Sequence, residues 1–258
     1  MNIKTLINWK LYFLLLAASI VSIVAIMPYV LTIQGDALKA VPMSLPLVVL
    51  ISVIQSAVLF AILLFIGLKL SQKLGLRIPI LESYIAKKRV DIDVKPIIKI
   101  SVLLGVASGI AIVLLDFFFT NLGVNLMGQA PVPVWQGFLA SFYGGISEEI
   151  VMRLFFMTFV VWLVSKLIRP KGKVVENNLV MWSAIILAAI IFGLGHLPVT
   201  SALTTLTPLV IFRALLLNGI GGIVFGWLYW KKGLESAMIA HFSADIILHV
   251  LLPLILLF

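Results

Sequence analysis

Ionisable side chains occur inside segments that are otherwise apolar enough to lie in a membrane. Six of them are found on three hydrophobic segments, namely Glu148, Glu149, Arg153, His196, His241 and Asp245. A charged side chain near the bilayer centre costs at least ~2.5–3.5 kcal/mol even on the mildest scale, so such residues usually face a partner or a cavity. Together they predict a polar site within the membrane.

Two adjacent glutamates and an arginine stand in the sequence Ser-Glu-Glu-Ile-Val-Met-Arg at 147–153. Glu149 and Arg153 are four residues apart, so they share a helical face and can form an ion pair. Glu148 points about 100° away and is not covered by that pair. In a purely structural role, Arg153 would neutralise both carboxylates. This role explains the presence of Glu149, but it explains Glu148 poorly because a structural pair needs only one acid. We therefore expect Glu148 to be the general base.

The three histidines lie in the last part of the chain. His196 is close to Pro198 near the edge of its segment, where an interfacial histidine is the simpler interpretation. His241, Asp245 and His249 repeat every four residues and share one helical stripe. This stripe is compatible with a buried His–Asp pair between helices, or with groups aimed at one substrate atom. With Glu148, they could activate water for hydrolysis.

The composition predicts the architecture around these residues. Hydrophobic residues make up 62% of the 258 residues and charged residues 11%, with a mean hydropathy of +1.22. A soluble domain averages roughly 45–50% apolar and about 25% charged residues. We predict an all-α, polytopic transmembrane helical bundle that forms a single integral membrane domain over residues 1–258. Seven spans are expected, with eight as the alternative, over residues 10–33, 45–70, 97–120, 134–167, 179–197, 207–230 and 234–257.

Three further expectations concern these spans. The fourth is longer than a bilayer requires and should tilt, protrude or kink at Gly144–Gly145. Residues Leu70 to Lys95 could include an amphipathic helix on the membrane surface. Asp116 and Arg213, which have no partner at helical spacing, are expected to have structural or lining roles.

Loop charges predict the orientation. Basic residues are concentrated at the N-terminus and in every second loop, whereas the alternate loops are poor in charge. This pattern places the N-terminus in the cytoplasm. The net charge of +9 then reflects contacts with lipid headgroups rather than with nucleic acid. We expect a multi-pass protein of the cell membrane.

Three motifs occur in order along the C-terminal half: Glu-Glu-x-x-x-Arg at 148–153, Phe-x-x-x-His at 192–196 and His-x-x-x-Asp at 241–245. This pattern resembles the CAAX protease and bacteriocin-processing family of intramembrane endopeptidases, which includes the Ras-converting CAAX endopeptidase. The resemblance covers about residues 134–250, which would form the catalytic core.

The resemblance implies an intramembrane peptidase with membrane-associated peptide or membrane-protein substrates, among which CAAX-like sequences are one alternative. Glu148 and His196 would activate a water, while His241 and Asp245 would stabilise the oxyanion. Glu149, Arg153 and Phe192 would have supporting roles. Members related to the Ras-converting enzyme have Asn where this chain has Asp245, so Asp245 must be protonated, orient His241 or bind metal.

Two questions stay open at the level of sequence. The site could act without a cofactor or hold a divalent metal such as zinc, with His196, His241 and Glu148 as candidate ligands. The chain could also be a non-catalytic transporter, immunity or regulatory protein that uses these residues for proton relay or binding. Counting along the helices puts Glu148, His196 and His241 at depths that differ by roughly 10–15 Å, so the catalytic hypothesis requires tilted or displaced helices.

Overall fold

The protein is described by a computed structural model that covers residues 7–39, 41–86, 93–124, 126 and 132–256. Within these ranges the chain is helical and contains no β-strand. The helices are α1 (Trp9–Lys39), α2 (Leu45–Leu74), α3 (Pro79–Ile85), α4 (Val94–Asn121), α5 (Val134–Ile168), α6 (Asn178–Gly195), α7 (Leu197–Leu203), α8 (Pro208–Lys232) and α9 (Leu234–Leu256).

Seven helical segments of the described chain are long and apolar enough to cross a membrane. The predicted transmembrane bundle of about seven spans is thereby confirmed, whereas the orientation of the N-terminus stays a prediction. The fifth span was predicted to end at residue 197, but it continues through α7 to Leu203. Pro198 lies in the first turn of α7, where its missing N–H costs no helical hydrogen bond, so this proline begins a helix.

The long helix α5 changes its hydrogen-bonding pattern along its length. It is α-helical over Val134–Phe142 and Thr158–Ile168, and π-helical over Tyr143–Glu148 and Ile150–Met157. The change begins next to the glycine pair where a kink was expected. Short π-helical stretches are frequent at functional sites, and here they coincide with the two adjacent glutamates.

The centre of the bundle is formed by α5, α6, α8 and α9, with α1 and α2 packed on α5 and α4 packed on α8 and α9. Small residues allow the close approach of these helices. A side chain on Gly222 of α8 would overlap with Ala189 of α6, and one on Gly105 of α4 would overlap with the backbone of Ala240 in α9. Glycine contacts of this kind are typical of helix packing in membranes.

An ion pair joins α4 to α8. The Arg213 Nε donates to the Asp116 carboxylate at 2.5 Å, and both side chains are largely buried. Neither residue has a charged partner at helical spacing within its own helix, and each finds its partner on the other helix. The pair satisfies two charges that would otherwise be costly in an apolar environment.

The segment that follows α2 contains the short helix α3, inside the region expected to form a surface helix. The Leu81 N–H donates to the Glu235 carboxylate of α9 at 2.9 Å, which attaches α3 to the start of the last span. The expected surface helix also extended over residues 87–92, which lie outside the described residues.

Candidate active site

Glu149 lies at the centre of a buried polar cluster and contacts two partners. Its Oε2 is 3.2 Å from the Arg153 Nε, which is the ion pair expected from the spacing of four, and neither side chain is exposed. Its Oε1 accepts a hydrogen bond from the His241 Nδ1–H at 2.8 Å. Because an ionised carboxylate can only accept, this bond fixes the proton on Nδ1 and turns Nε2 of His241 towards the rest of the site.

Glu148 lies beside the same histidine in a different environment. Its Oε2 is 3.7 Å from the His241 Nε2, and its side chain is 25% exposed, whereas that of Glu149 is fully buried. The adjacent glutamates thus approach the two opposite nitrogens of one imidazole ring. Of the two glutamates, Glu148 is the one that a water or a substrate can reach.

Asp245 is a second carboxylate near the His241 Nε2. It lies one helical turn further along α9, and its Oδ1 is 3.7 Å from that nitrogen. Both carboxylate distances are longer than a direct hydrogen bond. A water or substrate oxygen can bridge each of these two separations.

Gly144 of α5 faces this cluster directly. A side chain at this position would overlap with the Asp245 carboxylate and come within 3.1 Å of the His241 Nε2. A glycine is therefore required for α5 and α9 to bring their polar groups together. The sequence indicated Gly144 as a point of bending, but gave no sign of what it faces.

His196 and His241 both contact the ring of Phe192. Its Nδ1–H donates to the Phe192 carbonyl at 2.8 Å, which leaves Nε2 as the free ring nitrogen. The Phe192 ring packs edge-on against His196, with centroids 4.6 Å apart, and against His241 at 5.7 Å. Among the described residues, His196 has no hydrogen bond or ion pair with Glu148, His241 or Asp245. Its participation in one shared polar site stays a prediction.

Two phenylalanines form the wall behind the cluster. The Phe225 ring stacks on the His241 ring with centroids 4.7 Å apart, and the Arg153 guanidinium lies 5.4 Å from the Phe192 centroid and 5.8 Å from that of Phe225. The terminal nitrogens of Arg153 have no hydrogen-bond partner among the described residues, so cation–π contacts and the Glu149 charge hold this group. A phenylalanine in an apolar span gives no sequence signal, and Phe225 was missed.

The sequence left a divalent metal site open, with His196, His241 and Glu148 as candidate ligands. No three His, Asp or Glu side chains in the described part of the chain are grouped so that they could hold one. Both candidate histidines use Nδ1 in hydrogen bonds to protein oxygens, which leaves Nε2 of each ring available. Histidines that bind metal usually make this second hydrogen bond too, so these bonds alone do not distinguish a metal site from a metal-free one.

The comparison with known protein families agrees with the motifs. Residues 130–247 match the model of the family described as type II CAAX prenyl endopeptidase Rce1-like. These residues belong to that family. The resemblance seen in the three motifs is thereby confirmed, and the Rce1-like region contains every residue of the polar cluster. The chain has the seven long apolar helices of a multi-pass membrane protein, and its residues 130–247 are similar to the CAAX-type intramembrane protease family.

The match begins four residues before α5 and ends within α9, so α1, α2 and α4 lie outside the Rce1-like region. No curated protein and no solved structure matches the chain.

Proposed function

We propose that this protein is an intramembrane endopeptidase that hydrolyses peptide bonds in membrane-associated substrates. The observation that carries the proposal is the position of the His241 Nε2, which faces the carboxylates of Glu148 and Asp245 while Glu149 holds the opposite nitrogen. A structural ion pair needs only Glu149 and Arg153. The accessible Glu148 is left for chemistry.

In the proposed reaction, Glu148 takes a proton from a water molecule as the water oxygen attacks the peptide carbonyl carbon. His196 assists by accepting a hydrogen bond from this water at its free Nε2. The carbonyl oxygen becomes an oxyanion. When the carbon–nitrogen bond breaks, the proton held by Glu148 passes to the leaving amine, and the new carboxylate is released.

His241 is the proposed oxyanion donor. Since its Nδ1–H is bound to Glu149, it must also carry a proton on Nε2 to donate to the oxyanion. The surrounding carboxylates balance the resulting positive charge. An ionised Asp245 would repel the oxyanion, so we assign it the task of orienting His241, or of donating as a neutral acid.

The family match suggests the first substrates to test. CAAX-like C-terminal peptides, with and without a prenyl group, should be compared with peptides from other membrane proteins. Their scissile bond would have to reach the Glu148 carboxylate from the side on which this residue is exposed.

The proposal is tested by incubating the purified protein, reconstituted in lipid nanodiscs, with these peptides in water labelled with oxygen-18. Hydrolysis places the label in the new C-terminal carboxylate of the product, which mass spectrometry detects. Cleavage without label, or binding of peptides without any cleavage over long incubation of a broad membrane-peptide set, would contradict the proposal.

A further inference from the structure

A second polar feature lies away from the candidate active site, where the ends of four spans meet. The end of α2, the start of α4 and the turn between α8 and α9 enclose a surface cavity of about 460 Å³. Each of these helices is long enough to cross a membrane. Because spans end near the membrane surface, we expect the cavity to lie at the boundary between the hydrocarbon and the headgroups, whichever way the chain is oriented.

The charged side chains that line this cavity are predominantly cationic. Of the described residues that line it, Arg77, Lys231 and Lys232 are basic and Asp93 is acidic. Asp93 already accepts a hydrogen bond from the Lys95 N–H at 3.2 Å as the N-cap of α4. The excess of positive charge is thus available to an anion.

Hydrogen bonds and a cation–π contact hold the walls of this cavity in position. The Leu234 N–H donates to the Arg77 carbonyl at 3.1 Å, which joins the α8–α9 turn to the segment after α2. Trp230 donates to the Val175 carbonyl at 2.8 Å and carries the Lys231 ammonium over its ring, 3.3 Å from the centroid. Aromatic and basic side chains in this combination are typical of the headgroup region.

From these observations we propose that the cavity binds the phosphodiester of an anionic phospholipid, held by Lys231, Lys232 and Arg77. The acyl chains would extend along the apolar surfaces of the spans that end here. This site is independent of the proposed hydrolysis.

The test is a titration of phosphatidylglycerol into the detergent-solubilised full chain, with lipid adducts counted by native mass spectrometry. Because each basic residue near an anionic surface adds to its attraction for anionic lipid, Lys231→Gln/Lys232→Gln should lower the affinity by at least about tenfold. The matched control is Lys171→Gln/Lys173→Gln, which removes two exposed lysines from the segment between α5 and α6 and should retain the wild-type affinity.

Three results would overturn the proposal: equal loss in both double variants, equal binding of phosphatidylcholine, or displacement of the lipid by inorganic phosphate at equal concentration. Circular dichroism and thermal unfolding establish that each variant is folded. If the first double variant does not fold, phosphatidylglycerol is titrated into the single variant Lys232→Gln. A wild-type affinity in that variant also contradicts the proposal.

Discussion

Two neighbouring glutamates of α5 approach the same histidine from opposite sides. Glu149 is fully buried between Arg153 and the His241 Nδ1, whereas Glu148 is partly exposed beside Nε2. Removing one member of a buried charge pair typically costs about 3–5 kcal/mol, because the other charge stays buried alone. We expect Glu149→Ala to lower the thermal unfolding temperature strongly and Glu148→Ala to lower it little. Equal unfolding temperatures for the two variants would contradict the assignment of Glu149 to structure.

Asp245 provides the second prediction at this scale. If it orients His241 or donates as a neutral acid, an amide of the same shape can replace it. We expect Asp245→Asn to retain most of the peptide cleavage and Asp245→Ala to lose at least about tenfold, because Ala offers neither a donor nor an acceptor. Loss of cleavage in Asp245→Asn at unchanged stability would show that the negative charge itself is needed.

At the scale of single elements, the contact between α5 and α9 depends on Gly144. An added methyl group would overlap with the Asp245 carboxylate, and overpacking of this kind costs about 1–3 kcal/mol. We expect Gly144→Ala to separate the catalytic groups and lower both activity and unfolding temperature. The control is Gly219→Ala in α8, which has no neighbouring atom within 4 Å of the added carbon and should be neutral or slightly stabilising. Similar effects in both variants would refute the argument from Gly144.

The ion pair between α4 and α8 allows a test by double mutation. Asp116→Ala and Arg213→Ala should each lower stability by on the order of 3 kcal/mol, since each leaves one poorly hydrated charge without its partner. The double variant leaves no unpaired charge at this position. It should therefore be more stable than the sum of the two single losses predicts. Additive losses, measured by thermal unfolding in the same detergent, would show that the two side chains act independently.

The elements also show which parts of the site could be predicted from the sequence. The spacing of four identified the Glu149–Arg153 pair and the His241–Asp245 stripe, because helical periodicity places such residues on one face. The hydrogen bond between Glu149 and His241 joins residues on different helices, as does the Asp116–Arg213 pair. Such contacts depend on how the helices pack against each other. The spacing of residues within one helix carries no information about that packing. The roles of Phe225 and Gly144 were invisible for the same reason.

At the scale of the whole molecule, hydropathy was sufficient to predict the bundle and its seven spans, because only long apolar helices can cross the hydrocarbon. The orientation rests on loop charges alone. Since the chain has no native cysteine, single cysteines can report it. We expect Lys171→Cys and Thr205→Cys, which lie in successive exposed loops, to react with a membrane-impermeant reagent from opposite sides, the first from the cytoplasm. Labelling of both from one side, or of Lys171→Cys from outside, would contradict the predicted topology.

The central claim is that one accessible carboxylate, Glu148, carries out proton transfer in a site that Glu149 merely holds together. The most direct measurement is the peptide cleavage rate of Glu148→Gln beside the wild type, in the same nanodiscs, with the unfolding temperature of each. The amide keeps the size of the side chain but cannot take a proton from water. We expect an unchanged unfolding temperature and loss of hydrolysis by at least about a hundredfold, within the range for general-base catalysis. Normal cleavage by Glu148→Gln, beside a stable but inactive Glu149→Gln, would show that the two roles are reversed.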